Sequence, residues 1–129
     1  MAGVAKAINL NYCTITMRDD GIIVVECDND TCFDLQHLYV IMEAYEELTP
    51  GQRRPILFIA GKYTSISKEA REWGGTADGT RYSLAEAFVI HSLAQKMLAN
   101  FYMKFNSPQV PSHFFNSREA AENWLKTFL

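Results

Sequence analysis

Two serines and a histidine are the side chains whose type and expected placement invite chemistry. Ser65 and Ser67 stand in the polar turn Lys62-Tyr63-Thr64-Ser65-Ile66-Ser67, just after the apolar run Ile56-Leu57-Phe58-Ile59-Ala60. His91 directly follows a second apolar run, Ala85 to Ile90. If both runs are strands of one sheet, the serines and the histidine open onto one rim, and a Ser–His pair is the start of a nucleophilic site. No third orienting group and no oxyanion donors can be named, so a capping serine and a hydrogen-bonded structural histidine are the simpler reading. His37 and His113 lie in no metal or nucleophile motif. The stretch Gly74-Gly75-Thr76-Ala77-Asp78-Gly79 lacks phosphate-loop spacing and reads as a mobile helix exit. Its length suits a lid or contact loop, and Trp73, Arg81 and Tyr82 flank it with side chains enriched at protein interfaces. The sequence assigns no catalytic residue, no metal ligand and no cofactor.

The elements that must position these groups can be read from the chain as a whole. Its 129 residues, 48% hydrophobic and 21% charged, suit one domain that buries a core without metals or disulfides. A formal net charge of -3 argues against a nucleic-acid surface built on bulk positive charge. Cys13, Cys27 and Cys32 form no C-x-x-C pair and are odd in number, which reads as reduced, buried thiols. No apolar run reaches membrane-spanning length and no signal peptide is evident, so the expectation is a cytoplasmic chain without a membrane span.

Residues 1–11 read as a loose leader and 12–129 as one domain. Cys13, Ile15 and Met17 alternate with Thr14, Thr16 and Arg18, and Asp19-Asp20-Gly21 turns that strand into a second one over Ile22 to Cys27. Between Cys32 and Leu48 the residues Leu35, Leu38, Ile41, Met42, Tyr45 and Leu48 follow helical spacing, with Asp30 or Thr31 as cap and Thr49-Pro50-Gly51 as stop. The unbroken run after Pro55 predicts a central strand covered on both faces, and Ser67 predicts the cap of the next helix. Ala85 to Ile90, interrupted only by Glu86, predicts a further strand. Ser92 then caps a helix whose buried stripe is Leu93, Ala94, Met97, Leu98, Phe101 and Phe105, with Lys96, Asn100 and Lys104 on a solvated side and Asn106-Ser107-Pro108 as its end. His113 to Phe115 predicts the last strand, and Asn116 with Glu119 a capping box for a terminal helix faced by Ala120, Ala121, Trp124, Leu125 and Phe128. The expected fold is α/β: a single mixed, mostly parallel five-stranded sheet with an N-terminal antiparallel hairpin and four helices.

That element order, together with Ile56-Leu57-Phe58-Ile59-Ala60-Gly61, Ser67-Lys68-Glu69-Ala70-Arg71, Phe105-Asn106-Ser107-Pro108 and Ala120-Ala121-Glu122-Asn123-Trp124-Leu125, resembles the STAS family of anti-sigma factor antagonists, and among them its SpoIIAA-like bacterial branch. The resemblance implies a regulatory domain in which a serine at the start of the helix after the central strand accepts phosphate. Ser67, with Ser65 beside it, occupies that place. A phosphate there would add roughly -1.5 to -2 charges at a helix N-terminus and spoil the fit of a docked surface.

The function expected from these observations is non-enzymatic binding, of a protein partner or of a second copy, at a rim formed by Tyr63, Thr64, Lys68, Arg71, Trp73, Arg81 and Tyr82. The alternative is a carrier or sensor of a small apolar, lipid-like ligand. The STAS fold is similar in topology to lipid-transfer domains of the CRAL-TRIO type, and Phe101, Tyr102, Phe105, Phe114, Phe115, Trp124 and Phe128 are numerous enough to line a cavity between the last two helices and the sheet, though their spacing suits core packing first.

Overall fold

The structure, a computed structural model, describes residues 6–105 and 108–129, without the side chain of Phe105. Residues 1–5 of the expected leader and Asn106 and Ser107 of the expected helix stop lie outside the described residues. β1 (Lys6–Asn9), β2 (Cys13–Met17) and β3 (Ile23–Cys27) form an antiparallel meander, in which β2 alternates apolar and polar residues and β3 opens on a continuous buried run. Gly21, at φ +92°, lets the β2–β3 turn close, with its N–H donating to the Arg18 carbonyl at 3.0 Å. β5 (Arg54–Ile59), β7 (Ser83–Val89) and β8 (Ser112–Phe115) then add in parallel, giving the order β1-β2-β3-β5-β7-β8.

The sheet therefore has six strands where five were expected. The extra one is β1, inside the segment read as a leader: Lys-Ala-Ile-Asn carries one large apolar side chain, Ile8, which an edge strand needs only to cover Ile15 opposite. A second, two-stranded parallel ribbon pairs β4 (Cys32–Phe33) with β6 (Ser65–Ile66) and is too short to show a period. It moves the start of α1 (Leu35–Leu48) beyond Cys32, and the cap is Asp34 rather than Asp30 or Thr31. Asp34 accepts from the Gln36 and His37 N–H groups, while His37 Nδ1 accepts from the Asp34 N–H at 3.0 Å. His37 is thus a capping-box residue.

The sheet separates two cores. Ile22, Val24, Leu57, Ala85, Ala87 and Val89 face α4 (Arg118–Lys126), which lays Ala121 and Leu125 on them. The α4 cap is Ser117, accepting from the Ala120 N–H at 3.1 Å, one residue beyond the expected Asn116, and Ala120 is exposed. Ile15, Ile23, Val25 and Ile56 face the other way, onto Ile41, Met42, Tyr45 and Leu48 of α1, whose buried side is the one its spacing predicts. α2 (Lys68–Gly74) and α3 (Leu93–Phe105) complete this second layer. The segment from Gly74 to Tyr82 is a hydrogen-bonded series of turns rather than a loose exit: Thr80, 2% exposed, donates its hydroxyl to the Thr76 carbonyl at 2.7 Å, and a Cβ on Gly79 would stand 2.2 Å from the Trp73 carbonyl oxygen.

α3 departs most from expectation. Leu93, Met97 and Phe101 are 74%, 63% and 50% exposed, and the helix turns Ala99 and Tyr102 inward instead, with Leu98 half-buried. Apolar residues run around much of this helix, so two stripes share helical spacing and the docking surface decides between them.

Candidate functional site

Side chains of the α1-facing sheet surface follow strand register. Ile56, Glu86 and Ser112 form one cross-strand row of β5, β7 and β8, and Phe58, Phe88 and Phe114 form the next. The three phenylalanine rings are stacked, each 4.8 Å from the next, at interplanar angles of 7° and 21°. That spacing is the distance between neighbouring strands, so the rings stand as a ladder across the sheet. α3 does not approach the strands beneath it as closely as α4 approaches β5 and β7. Between the ladder and α1, α2 and α3 lies a cavity of about 200 Å³, walled almost wholly by carbon.

Polar groups on three walls face this apolar space. Glu86, on β7, is 6% exposed. A bulge lets it be held there: Arg54 pairs with Ser83 and Pro55 with Ala85, so Leu84 is an extra residue and Ser83 falls on the same face as Glu86. The Ser83 hydroxyl donates to the Glu86 carboxylate at 2.7 Å. Burial raises the Glu86 carboxyl to about 7, and only the Ser83 hydrogen bond pulls it down. From α3, burial and then the Glu86 charge raise the Tyr102 phenol to about 12, and a Cβ on Gly75 would stand 2.4 Å from the Tyr102 hydroxyl. From α1, Tyr45 is 3% exposed, its hydroxyl has no hydrogen-bond partner among the described residues, and burial followed by the Glu86 charge holds its pKa well above the ordinary range.

Arg71, on α2, supplies a cation to the same cavity. Its Nη1 donates to the Ile66 carbonyl at 3.2 Å, while its buried Nε has no partner and no carboxylate pairs with it among the described residues. Arg71 and Glu86 form no ion pair and stand as separate polar groups on different walls. Cys27 also borders the cavity. Burial first, and then Cys13 and Asp28, push its thiol up to about 12, which keeps it protonated and unreactive at neutral pH.

The residues expected at a partner-binding rim divide into two groups. Thr64, Ser65, Arg71 and Trp73 border the cavity. Tyr63, 72% exposed at φ +61° with the Lys62 ammonium 5.3 Å over its ring, points to solvent, as do Lys68, 3.9 Å from Glu72, and Arg81, stacked over Tyr82. Tyr82 donates its hydroxyl to Glu46 and packs on Tyr45. Ser67 caps α2 as expected, accepting from the Ala70 N–H at 3.2 Å, and Ser65 is exposed. His91 is exposed and makes no hydrogen bond to Ser65 or Ser67, so the geometry assembles no Ser–His pair. His113 lies on the α4 side against Phe115 and Trp124. Cys13 is buried but Cys32 is exposed, against the expectation of three buried thiols. The late aromatics do not share one cavity: Tyr102 and Phe114 face it, whereas Phe115, Trp124 and Phe128 pack beneath α4. Glu86 and Tyr45 were not singled out from sequence, although a lone carboxylate inside an apolar strand was the available signal.

A family model covers nearly all of this framework, matching residues 15–129. The chain belongs to the DUF7793 family, a domain of unknown function. No curated protein matches the chain, and no solved structure does. The match takes in β2 through α4, so every cavity-bearing element lies within the DUF7793 domain. Among the described residues no helix is long and apolar enough to cross a membrane, and no group of three or more His, Cys, Asp or Glu side chains is placed to hold a metal ion.

Proposed function

We propose that this domain binds a small, largely apolar molecule in the cavity between the sheet and α1 to α3, as a carrier or sensor. The observation that carries the reading is the apolar cavity itself, which also holds the carboxyl-bearing side chain of Glu86, a residue only 6% exposed. A carboxyl held in apolar surroundings carries a desolvation cost, which a ligand bearing one polar group would offset. The volume of about 200 Å³ sets the scale of that ligand. A dry cavity of roughly 150 Å³ accepts benzene, so a substituted single ring fits better than a long acyl chain. The test is the thermal midpoint with and without phenol, for the native protein and for Ala99→Leu, which fills the cavity from α3. A midpoint that rises with phenol concentration in the native protein and not in the variant supports the reading. No rise, or an equal rise in both, overturns it.

A second reading, protein contact, is favoured by the outer side of α3, where Leu93 and Met97 stand one turn apart and are mostly exposed. The inner side of the same helix walls the cavity, so ligand occupancy and the outer surface are linked through one rigid element. This gives the STAS-like regulatory role a physical form without requiring phosphate on Ser67. Sedimentation velocity across a concentration series tests a second copy as occupant: a dimer lost in Met97→Asp supports it, and a monomer at every concentration removes it.

A further inference from the structure

Arg71 narrows the class of ligand. An arginine that is half-buried in an apolar wall, with no carboxylate beside it, leaves a positive charge poorly compensated, and such a charge is costly unless an anion completes it. The guanidinium is already oriented by the Nη1 hydrogen bond to the Ile66 carbonyl, and its buried Nε makes no hydrogen bond among the described residues. Two parallel N–H donors on one planar edge match the two oxygens of a carboxylate. A single cation facing the cavity calls for a single negative charge. Beside it, the stacked ladder of Phe58, Phe88 and Phe114 offers a surface suited to another ring, which gains beyond its buried area from aromatic contact.

We infer that the cavity selects a single-ring aromatic monocarboxylate, with its ring against the phenylalanine ladder and its carboxylate on the guanidinium of Arg71. This rests on the ligand-binding reading above and adds the charge. Glu86 does not occupy the same place, because it stands on β7 in the sheet wall whereas Arg71 stands on α2. Its carboxyl and the Tyr102 hydroxyl form a second polar pole, able to meet a hydroxyl or amino substituent on the ring.

The experiment is calorimetric titration of the full chain with benzoate and with benzamide, its neutral counterpart of nearly equal shape. Hydrogen bonds to a charged group contribute about 1.5–3 kcal/mol, so benzoate should bind about 10- to 100-fold more tightly than benzamide. Arg71→Met should erase that preference while keeping the benzamide affinity. Arg71→Lys, which keeps the charge and loses the planar edge, should retain only part of it. Benzamide equal to or better than benzoate in the native protein overturns the carboxylate inference and leaves the ligand-binding reading standing. A preference that survives Arg71→Met overturns the role of Arg71. If neither compound binds, the cavity reading fails together with this one.

Discussion

Helices cover both faces of the sheet, yet one face is closely packed and the other holds a cavity. Beneath α4 the strands present Ala85, Ala87 and Val89, and α4 answers with Ala121 and Leu125, all buried. Small side chains on both partners let helix and sheet approach closely. Beneath α3 the neighbouring positions of the same strand, β7, carry Glu86 and Phe88, and α3 answers with Leu98, Ala99 and Tyr102. Large rings on the sheet hold the helix away, and the gap is not refilled. Because side chains alternate along a strand, one stretch of β7 builds the tight core with its odd-numbered residues and the cavity with its even-numbered ones. Both faces carry a buried core, and only the side beneath α3 leaves a cavity.

The largest predicted difference between the faces is in truncation. Leu125, fully buried under α4, should cost about 3–4 kcal/mol as Leu125→Ala, since its neighbours are packed on every side. Leu98 lines the cavity and already lacks partners on one side, so Leu98→Ala should cost about 1 kcal/mol. Urea unfolding of both variants measures the contrast, and equal losses would mean that the α3 face is packed as tightly as the α4 face.

Glu86 gives the open face a pH signature of nearly the same size. Its carboxyl ordinarily titrates at 4.5, and in the folded chain at about 7. Between those values the folded state holds a proton that the unfolded state has released, so stability falls as pH rises. The group's contribution is fully present below 4.5, is lost progressively up to about 7, and is level above it. The loss amounts to about 3 kcal/mol. Unfolding free energies at about pH 5 and about pH 8 should therefore differ in the native protein and converge in Glu86→Gln, which keeps the shape and cannot ionise. A slope that persists unchanged in the variant would assign it to other groups.

The regular elements on both faces of the sheet were legible in the sequence, and the cavity between them was not. The β2–β3 hairpin, the two-faced strand after Pro55 and the buried side of α1 announce themselves through period and turn residues, because each is fixed by local rules. Ser67 could be read as a cap from one residue type in one place. The cavity could not be read this way. It depends on which of two apolar stripes α3 turns inward, and on a bulge at Leu84 that brings Ser83 beside Glu86. Both are decided by tertiary packing across segments distant in sequence. β1 was missed for a related reason: an edge strand that covers a single residue needs no pattern of its own.

The smallest predicted effect is the most direct comparison, because one substitution should change sign between the faces. Ala87 and Ala99 are both buried, the first on the sheet beneath α4 and the second on α3 above the cavity. Ala87→Leu forces an isopropyl group into a space already filled by Leu125 and its neighbours, and should cost about 2 kcal/mol. Ala99→Leu places the same group into a void, where it restores missing dispersion contacts, and should be neutral or stabilise by about 1 kcal/mol. The same variant should lose phenol binding, so added stability and lost binding come from one event. An Ala99→Leu protein that is destabilised as much as Ala87→Leu would show that α3 can close onto the ladder in solution. The open face would then be a property of one conformation of that helix rather than of its residues.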